Sequence, residues 1–279
     1  MNALPIPNIT LNTGTEIPQL GLGVFLVEPG ETERLVSEAL EAGYRHIDTA
    51  MIYRNEAEVG RAIAASGIPR EELFITTKLW NTDQDRPAEA FQRSLDLLGL
   101  DRVDLYLIHW PLPMFAGSAL GAWRGLLDIA ESGRSSAVGV SNFEIEHLRQ
   151  LIDETGVVPA VDQVELHPLH QRRELSAFCA EQGIAVEAWG PLAQGKTNLL
   201  ELPAVVAAAE AHGKSPAQAV LRWHVQQGRI VFPKTSRRER LLENASIFDF
   251  ELSGDEMAAI DALEAGTNFG PDPRSYDVR

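Results

Sequence analysis

The strongest constraint on how this chain folds is an alternation of short extended runs with longer helical stretches, repeated along nearly its whole length. Extended runs fall at 44–48, 74–78, 104–109, 137–141, 161–165, 185–189 and 230–233, with a weaker one at 246–250. Helix formers with apolar residues at helical spacing occupy 31–42, 56–65, 87–98, 122–132, 144–154, 173–182 and 216–227. Strand–helix alternation of this regularity implies a parallel sheet covered by helices. Eight units without a composition break or linker favour closure into a (β/α)8 TIM barrel, an α/β fold, over an open doubly wound sheet.

The 279 residues, 44% of them hydrophobic, can bury a large core, and residues 1–279 are read as one barrel domain. Ahead of the barrel, residues Thr10 to Pro18 read as an N-terminal β-hairpin that turns at Asn12 to Gly14. Gly21-Leu22-Gly23 reads as backbone turning, because the third glycine of a dinucleotide-binding G-x-G-x-x-G is missing. Two insertions, at 110–121 and 195–212, add loops to the C-terminal mouth, the second with an extra helix at 203–211. The opening residues show no basic region followed by a long apolar one, and no later apolar run reaches membrane-spanning length, so a soluble cytoplasmic protein is expected. The single cysteine, Cys179, allows no intramolecular disulfide and reads as a small buried residue.

A net charge of −16 argues against nucleic acid and anionic membranes as partners, since both need a basic surface. One island departs from that balance: Lys234, Arg237, Arg238 and Arg240 fall within seven positions. Ser236 and Glu239 there have the S-x-x-E spacing of a capping box, so a helix is expected to start beside these cations, as suits a phosphate dianion. At the other end of the chemistry, Asp48, Tyr53, Lys78 and His109 sit at or just past the ends of three successive strand candidates. Side chains alternate along a strand, so His46 and Asp48 share a face, as do Phe74, Thr76 and Lys78, and Leu105, Leu107 and His109. In a parallel barrel the last member of each set meets the others at the C-terminal mouth. Glu165, His167 and His170 fit no standard zinc spacing and read as loop hydrogen-bonding groups, so no metal is expected.

Gly43-Tyr44-Arg45-His46-Ile47-Asp48-Thr49-Ala50, continuing through Tyr53, Asn55-Glu56 and Gly60, resembles the signature of the aldo-keto reductases. Ile75-Thr76-Thr77-Lys78-Leu79-Trp80, Asp104 to Pro111 and Gly139-Val140-Ser141-Asn142-Phe143 agree in the family's order. Glu187 to Leu192 and Pro216 to His224 are most similar to the bacterial 2,5-diketo-gluconic acid reductases within it. The resemblance implies reduction of a small carbonyl substrate to an alcohol with NADPH, by a monomer. By motif, Tyr53 is the proton donor, Lys78 and Asp48 tune it, and His109 orients the carbonyl. Ser141, Asn142 and Gln163 are implied to hold the nicotinamide carboxamide, with Trp189 stacked on the ring and Leu192 and Gln194 beside the pyrophosphate. Lys234, Thr235 and Arg240 are implied to grip the adenosine 2′-phosphate, with Asn244 near the adenine; Phe25, Trp80 and Trp110 form the substrate walls. Ser136 stands where family members often carry a basic residue, a departure remote from the catalytic set.

The chemistry explains why these residue types are needed. A free phenol titrates near 10, and a lysine cation about 4 Å away contributes roughly 4 kcal/mol at an effective dielectric of about 20, so Tyr53 is expected to be acidified by Lys78. A neutral His109 can donate to the carbonyl oxygen. Two rivals use the same residues differently: a Schiff-base aldolase with Lys78 as nucleophile, and a non-catalytic NADPH-binding scaffold. Ser141, three residues before Glu144, also has the placement of a helix cap.

Overall fold

The computed structural model describes residues 3–115, 117–235 and 237–278. The chain begins with an antiparallel hairpin, β1 (Asn8–Thr10) and β2 (Glu16–Pro18), in which Ile9 faces Ile17. Eight parallel strands follow in strict neighbour order: β3 (Leu22–Gly23), β4 (His46–Asp48), β5 (Phe74–Leu79), β6 (Val103–Ile108), β7 (Ser135–Ser141), β8 (Val161–Glu165), β9 (Ala185–Trp189) and β10 (Ile230–Val231). A parallel bridge between Leu20 and Val231 brings the two edges together, so the sheet closes as a (β/α)8 barrel.

Two sequence expectations need correction. The barrel starts at Leu22–Gly23, where only turning was expected, and 246–250 is turn and bend rather than an eighth strand. Whereas the equally short β10 lies within the apolar run 230–233, this strand sits among the glycines of Gly21-Leu22-Gly23, which read as turning. Glycine is required just before it, because a Cβ on Gly21 would lie 2.9 Å from both His46 Cγ and the Phe232 ring. With β3 in place the ring is complete at eight, and 246–250 has no edge left to join.

The helices wrap the barrel: α1 (Pro29–Ala42), α2 (Glu56–Ser66), α3 (Pro87–Leu98), α4 (Ser118–Glu131), α5 (Ile145–Thr155), α6 (Arg173–Gln182), α7 (Pro203–Ala211), α8 (Pro216–Gln226), α9 (Arg238–Ala245) and α10 (Gly254–Asp261). Proline opens α1, α3, α7 and α8, where its missing N–H costs nothing, and left-handed glycines end α1, α2, α3, α5 and α6. The added helix expected at 203–211 is α7, while α10 carries no strong amphipathic pattern and was not anticipated. Cys179 is buried in α6.

What positions the functional end is a sealed opposite end. Leu11 and Ile17 of the hairpin pack with Phe74, Leu105, Leu107, Val161, Ile230 and Phe232 inside the barrel floor. Above them His46 lies edge-on to Phe74 and Phe232, and its Nε2 is 3.2 Å from Thr76 Oγ1. The next layer along the same strands is Asp48 and Lys78, so only the C-terminal mouth is open to chemistry.

Candidate active site

Lys78, on the inward face of β5, is fully buried, and every ammonium proton has a partner. Its Nζ donates to Asp48 Oδ1 at 2.7 Å, to Asp48 Oδ2 at 2.8 Å and to Thr49 O at 2.9 Å. Burial pulls the ammonium down, but Asp48, helped by Tyr53 and Glu187, holds it above its ordinary value. Nζ lies 5.1 Å from the centre of the Tyr53 ring. Tyr53 closes a single 3-10 turn, Met51–Tyr53, just past β4, and left-handed Arg54 turns the chain away behind it.

The expected acidification of Tyr53 is not what the geometry produces. Burial raises the phenol above its ordinary value; Lys78 pulls it down, and Asp48 pushes it up again. Burial outweighs the cation, and the carboxylate 2.7 Å from Nζ offsets part of the field that a lone ammonium would exert. Tyr53 therefore rests as a neutral phenol, the protonated form a donor requires. His109, one residue past β6, is pushed well below its ordinary value by burial and then by the Lys78 charge, so its imidazole is neutral. Its ring meets Tyr53 at 5.8 Å and Trp80 at 5.1 Å, both edge-on, and its Nδ1 is buried without a hydrogen-bond partner among the described residues.

A hydrogen-bond chain joins these groups to the residues read as nicotinamide contacts. Trp189 Nε1 donates to Asn142 Oδ1 (2.8 Å), Asn142 Nδ2 donates to His109 O (3.0 Å) and Ser141 Oγ (3.1 Å), and Ser141 Oγ donates to Gln163 O (2.8 Å). Asn142 has φ +63°, a left-handed conformation that asparagine tolerates, and this turns its amide across the strand ends. Ser141 is not the cap of α5; Glu144 is, with His147 completing its capping box. Gln163 Nε2 donates to Asp48 Oδ2 (2.9 Å) and to Glu187 Oε2 (2.8 Å).

All four polar residues except Lys78, which is sealed beneath, line one cavity of about 740 Å³. Phe25, Trp80 and Trp110 line it, with Ile52 and Tyr276; Phe25 lies 5.1 Å from the Tyr53 ring and Trp110 lies 4.2 Å from Tyr276. Ser141, Asn142, Gln163, Trp189, Leu192 and Gln194 line it too. Lys234 and Arg240 also line it; Lys234 Nζ donates to Leu26 O at 3.0 Å, and Lys196, absent from the sequence assignment, joins them. Thr235, ahead of α9, and Asn244, within it, are buried and do not line the cavity: Thr235 Oγ1 accepts from Arg237 N at 3.1 Å at the entry to the helix. Arg238 is paired with Glu41 at 2.9 Å and Arg237 is exposed, so two of the four island cations face away from the cavity. Ser236, and with it the capping box expected there, lies outside the described residues.

The C-terminal segment folds over the mouth. Glu165 accepts from the backbone N–H of Phe269 and of Gly270, both at 2.8 Å, and its other near neighbour is His167 Nε2 at 3.3 Å. Asn81 Nδ2 donates to Val278 O at 2.6 Å and Arg274 pairs with Glu144 and Glu146. Residues 269–271 and Tyr276 thereby become cavity wall. Single-residue reading missed Lys196, Tyr276 and Glu187. Only Lys196 carried a signal, as a lone cation in the glycine-bounded loop after Trp189.

The aldo/keto reductase family model matches residues 19–265. An aldo-keto reductase of Mycolicibacterium smegmatis is 53% identical over 273 residues, 97% of this chain and 98% of that protein. Methylglyoxal reductase DkgA of Yersinia pestis is 50% identical over 270 residues, 97% of each chain. A crystal structure of a Gox0644 variant in complex with NADPH superposes with a TM-score of 0.92 at 42% identity, covering 97% of this chain and 98% of that one. Fold, site geometry and likeness along the whole barrel agree: this chain belongs to the aldo/keto reductase family of NADP-dependent oxidoreductases.

Proposed function

We propose that the protein reduces aldehydes or ketones to alcohols with NADPH, Tyr53 giving the proton. One observation carries this reading: Tyr53, His109 and Asp48, the last paired with Lys78, line one cavity whose wall also carries Lys234 and Arg240. The cavity fits the cofactor chemically, since those cations suit phosphates, and Gln163 Oε1 accepts no hydrogen bond among the described residues and so is available to an amide N–H. When bound, NADPH supplies the hydride to the carbonyl carbon. Tyr53 donates its proton to the carbonyl oxygen, and Lys78 stabilises the phenolate left behind. Neutral His109 holds that oxygen with an N–H and does not compete for the proton. Asp48 keeps Lys78 charged and aimed.

The aromatic walls formed by Phe25, Trp80, Trp110 and Tyr276 favour small carbonyls, including 2-oxoaldehydes such as the one named for DkgA. An aldolase reading fares poorly, because Lys78 has all three N–H groups engaged with acceptors and no lone pair to attack a carbonyl. The test is Tyr53→Phe against a panel of aldehydes and ketones, following NADPH absorbance. The variant should bind NADPH normally and reduce carbonyls at least about a hundredfold more slowly; wild-type turnover would remove Tyr53 from the mechanism, and an inert wild-type enzyme that still binds NADPH would favour the scaffold.

A further inference from the structure

Beneath the catalytic set lies a second carboxyl with no assigned part. Glu187 is the middle residue of β9, on the same strand face as Trp189, and is fully buried in the barrel interior beside Gln163 of β8. Its Oε2 accepts from Gln163 Nε2 at 2.8 Å, and its Oε1 is buried with no partner among the described residues. The same Gln163 nitrogen donates to Asp48 Oδ2 at 2.9 Å. Both N–H bonds of the amide are thus spoken for, and the two carboxyls decide which way it points: a flip would set the amide oxygen against the Asp48 carboxylate.

We infer that Glu187 is a positioning residue for the reductive centre: with Asp48 it locks Gln163 so that the amide oxygen faces the cavity, and it joins a second carboxyl to the ion pair beneath Tyr53. This rests on the function proposed above. An orphaned oxygen in an apolar interior is costly for a carboxylate and tolerable for a carboxylic acid. The charged and titratable groups around it are Asp48 on β4, Lys78 on β5 and Asp162 on β8; β10 contributes the apolar Ile230. Burial, then Asp48, pushes the Glu187 carboxyl up to about 8, with Gln163 and Lys78 opposing. At neutral pH the cluster therefore carries one ion pair and one neutral acid. Above that range a second negative charge forms next to Asp48 and opposes the charge that develops on Tyr53.

The test compares wild-type, Glu187→Gln and Glu187→Leu enzymes. Glu187→Leu removes the acceptor, and its Kd for NADPH should rise about fivefold, the loss of one neutral hydrogen bond; Glu187→Gln keeps an acceptor oxygen and should restore wild-type affinity. Wild-type kcat should fall between about pH 7 and 9, and Glu187→Gln should lose that alkaline limb. A third readout needs no cofactor. A carboxyl whose folded-state value lies above its ordinary 4.5 stabilises the fold at low pH and loses that contribution as pH rises to about 8. The Tm advantage of Glu187→Gln over wild type should accordingly grow from about pH 5 to about pH 8. A folded Glu187→Leu that binds NADPH like wild type, or a Glu187→Gln kcat profile that superposes on wild type, overturns the assignment; where Glu187→Leu does not fold, the Glu187→Gln profile decides. A wild-type protein that binds NADPH but reduces no carbonyl refutes the proposed function and leaves the Kd comparison standing, whereas one that binds no NADPH overturns both.

Discussion

At the scale of single residues, the site divides between groups that react and groups that hold them. Lys78 has all its N–H groups engaged and Gln163 both N–H groups of its amide, whereas Tyr53 and His109 face the cavity. At rest burial outweighs the pull of the ion pair on Tyr53; the pair contributes most as the proton leaves, when a neutral phenol becomes an anion next to a fixed ammonium. The cofactor end allows an independent residue-level prediction. Arg240 lines the cavity and forms no ion pair among the described residues, so it is available to an external phosphate. Arg240→Ala should weaken NADPH by about tenfold or more and leave NADH within about twofold, measured as Kd side by side, because only NADPH carries the extra dianion. Equal losses for both would place that phosphate elsewhere.

At the scale of elements, short connections do most of the positioning. The 3-10 turn after β4 delivers Tyr53, the left-handed Asn142 after β7 braces His109, and the C-terminal segment completes the wall. That segment is held largely by Glu165, whose carboxyl stays below its ordinary range: burial pushes it up, and His167 with the amides of Gly270 and Phe269 more than offsets this. Gly270 is the close-approach point, since a Cβ there would lie 2.7 Å from Trp189 Cη2 and 3.0 Å from Glu165 Oε2. Gly270→Ala should lift the segment off the mouth, raising the carbonyl KM severalfold and speeding proteolysis of the C-terminal segment, with Tm nearly unchanged. A variant with wild-type KM and wild-type resistance to protease would show that the segment's seat is not needed for binding.

At the scale of the whole molecule, stability and chemistry lie at opposite ends of the barrel. The hairpin drives Ile17, fully buried, into the floor, while the reactive groups line the mouth. Ile17→Ala should destabilise the fold by roughly 2–4 kcal/mol through the cavity it leaves. It should lower the Tm, with kcat at a permissive temperature close to wild type. A matching loss of kcat would mean that floor and mouth are coupled through the strands.

Much of this molecule follows from local pattern alone. Local pattern placed seven of the eight barrel strands, because each lies in a short extended run set off by amphipathic helices that leave their own period in the chain. The same pattern put Asp48, Lys78 and His109 on inward faces at strand ends. It failed at Leu22–Gly23, where flanking glycines read as turning, and at 246–250, whose extended character no neighbouring edge rewards. Only the tertiary structure decided the protonation of Tyr53, the loss of Thr235 and Asn244 from the cavity wall, and the entry of Glu187 beneath it. Those outcomes depend on burial and on charges brought within a few ångströms from strands far apart in the chain, and neither quantity is written in the order of residues.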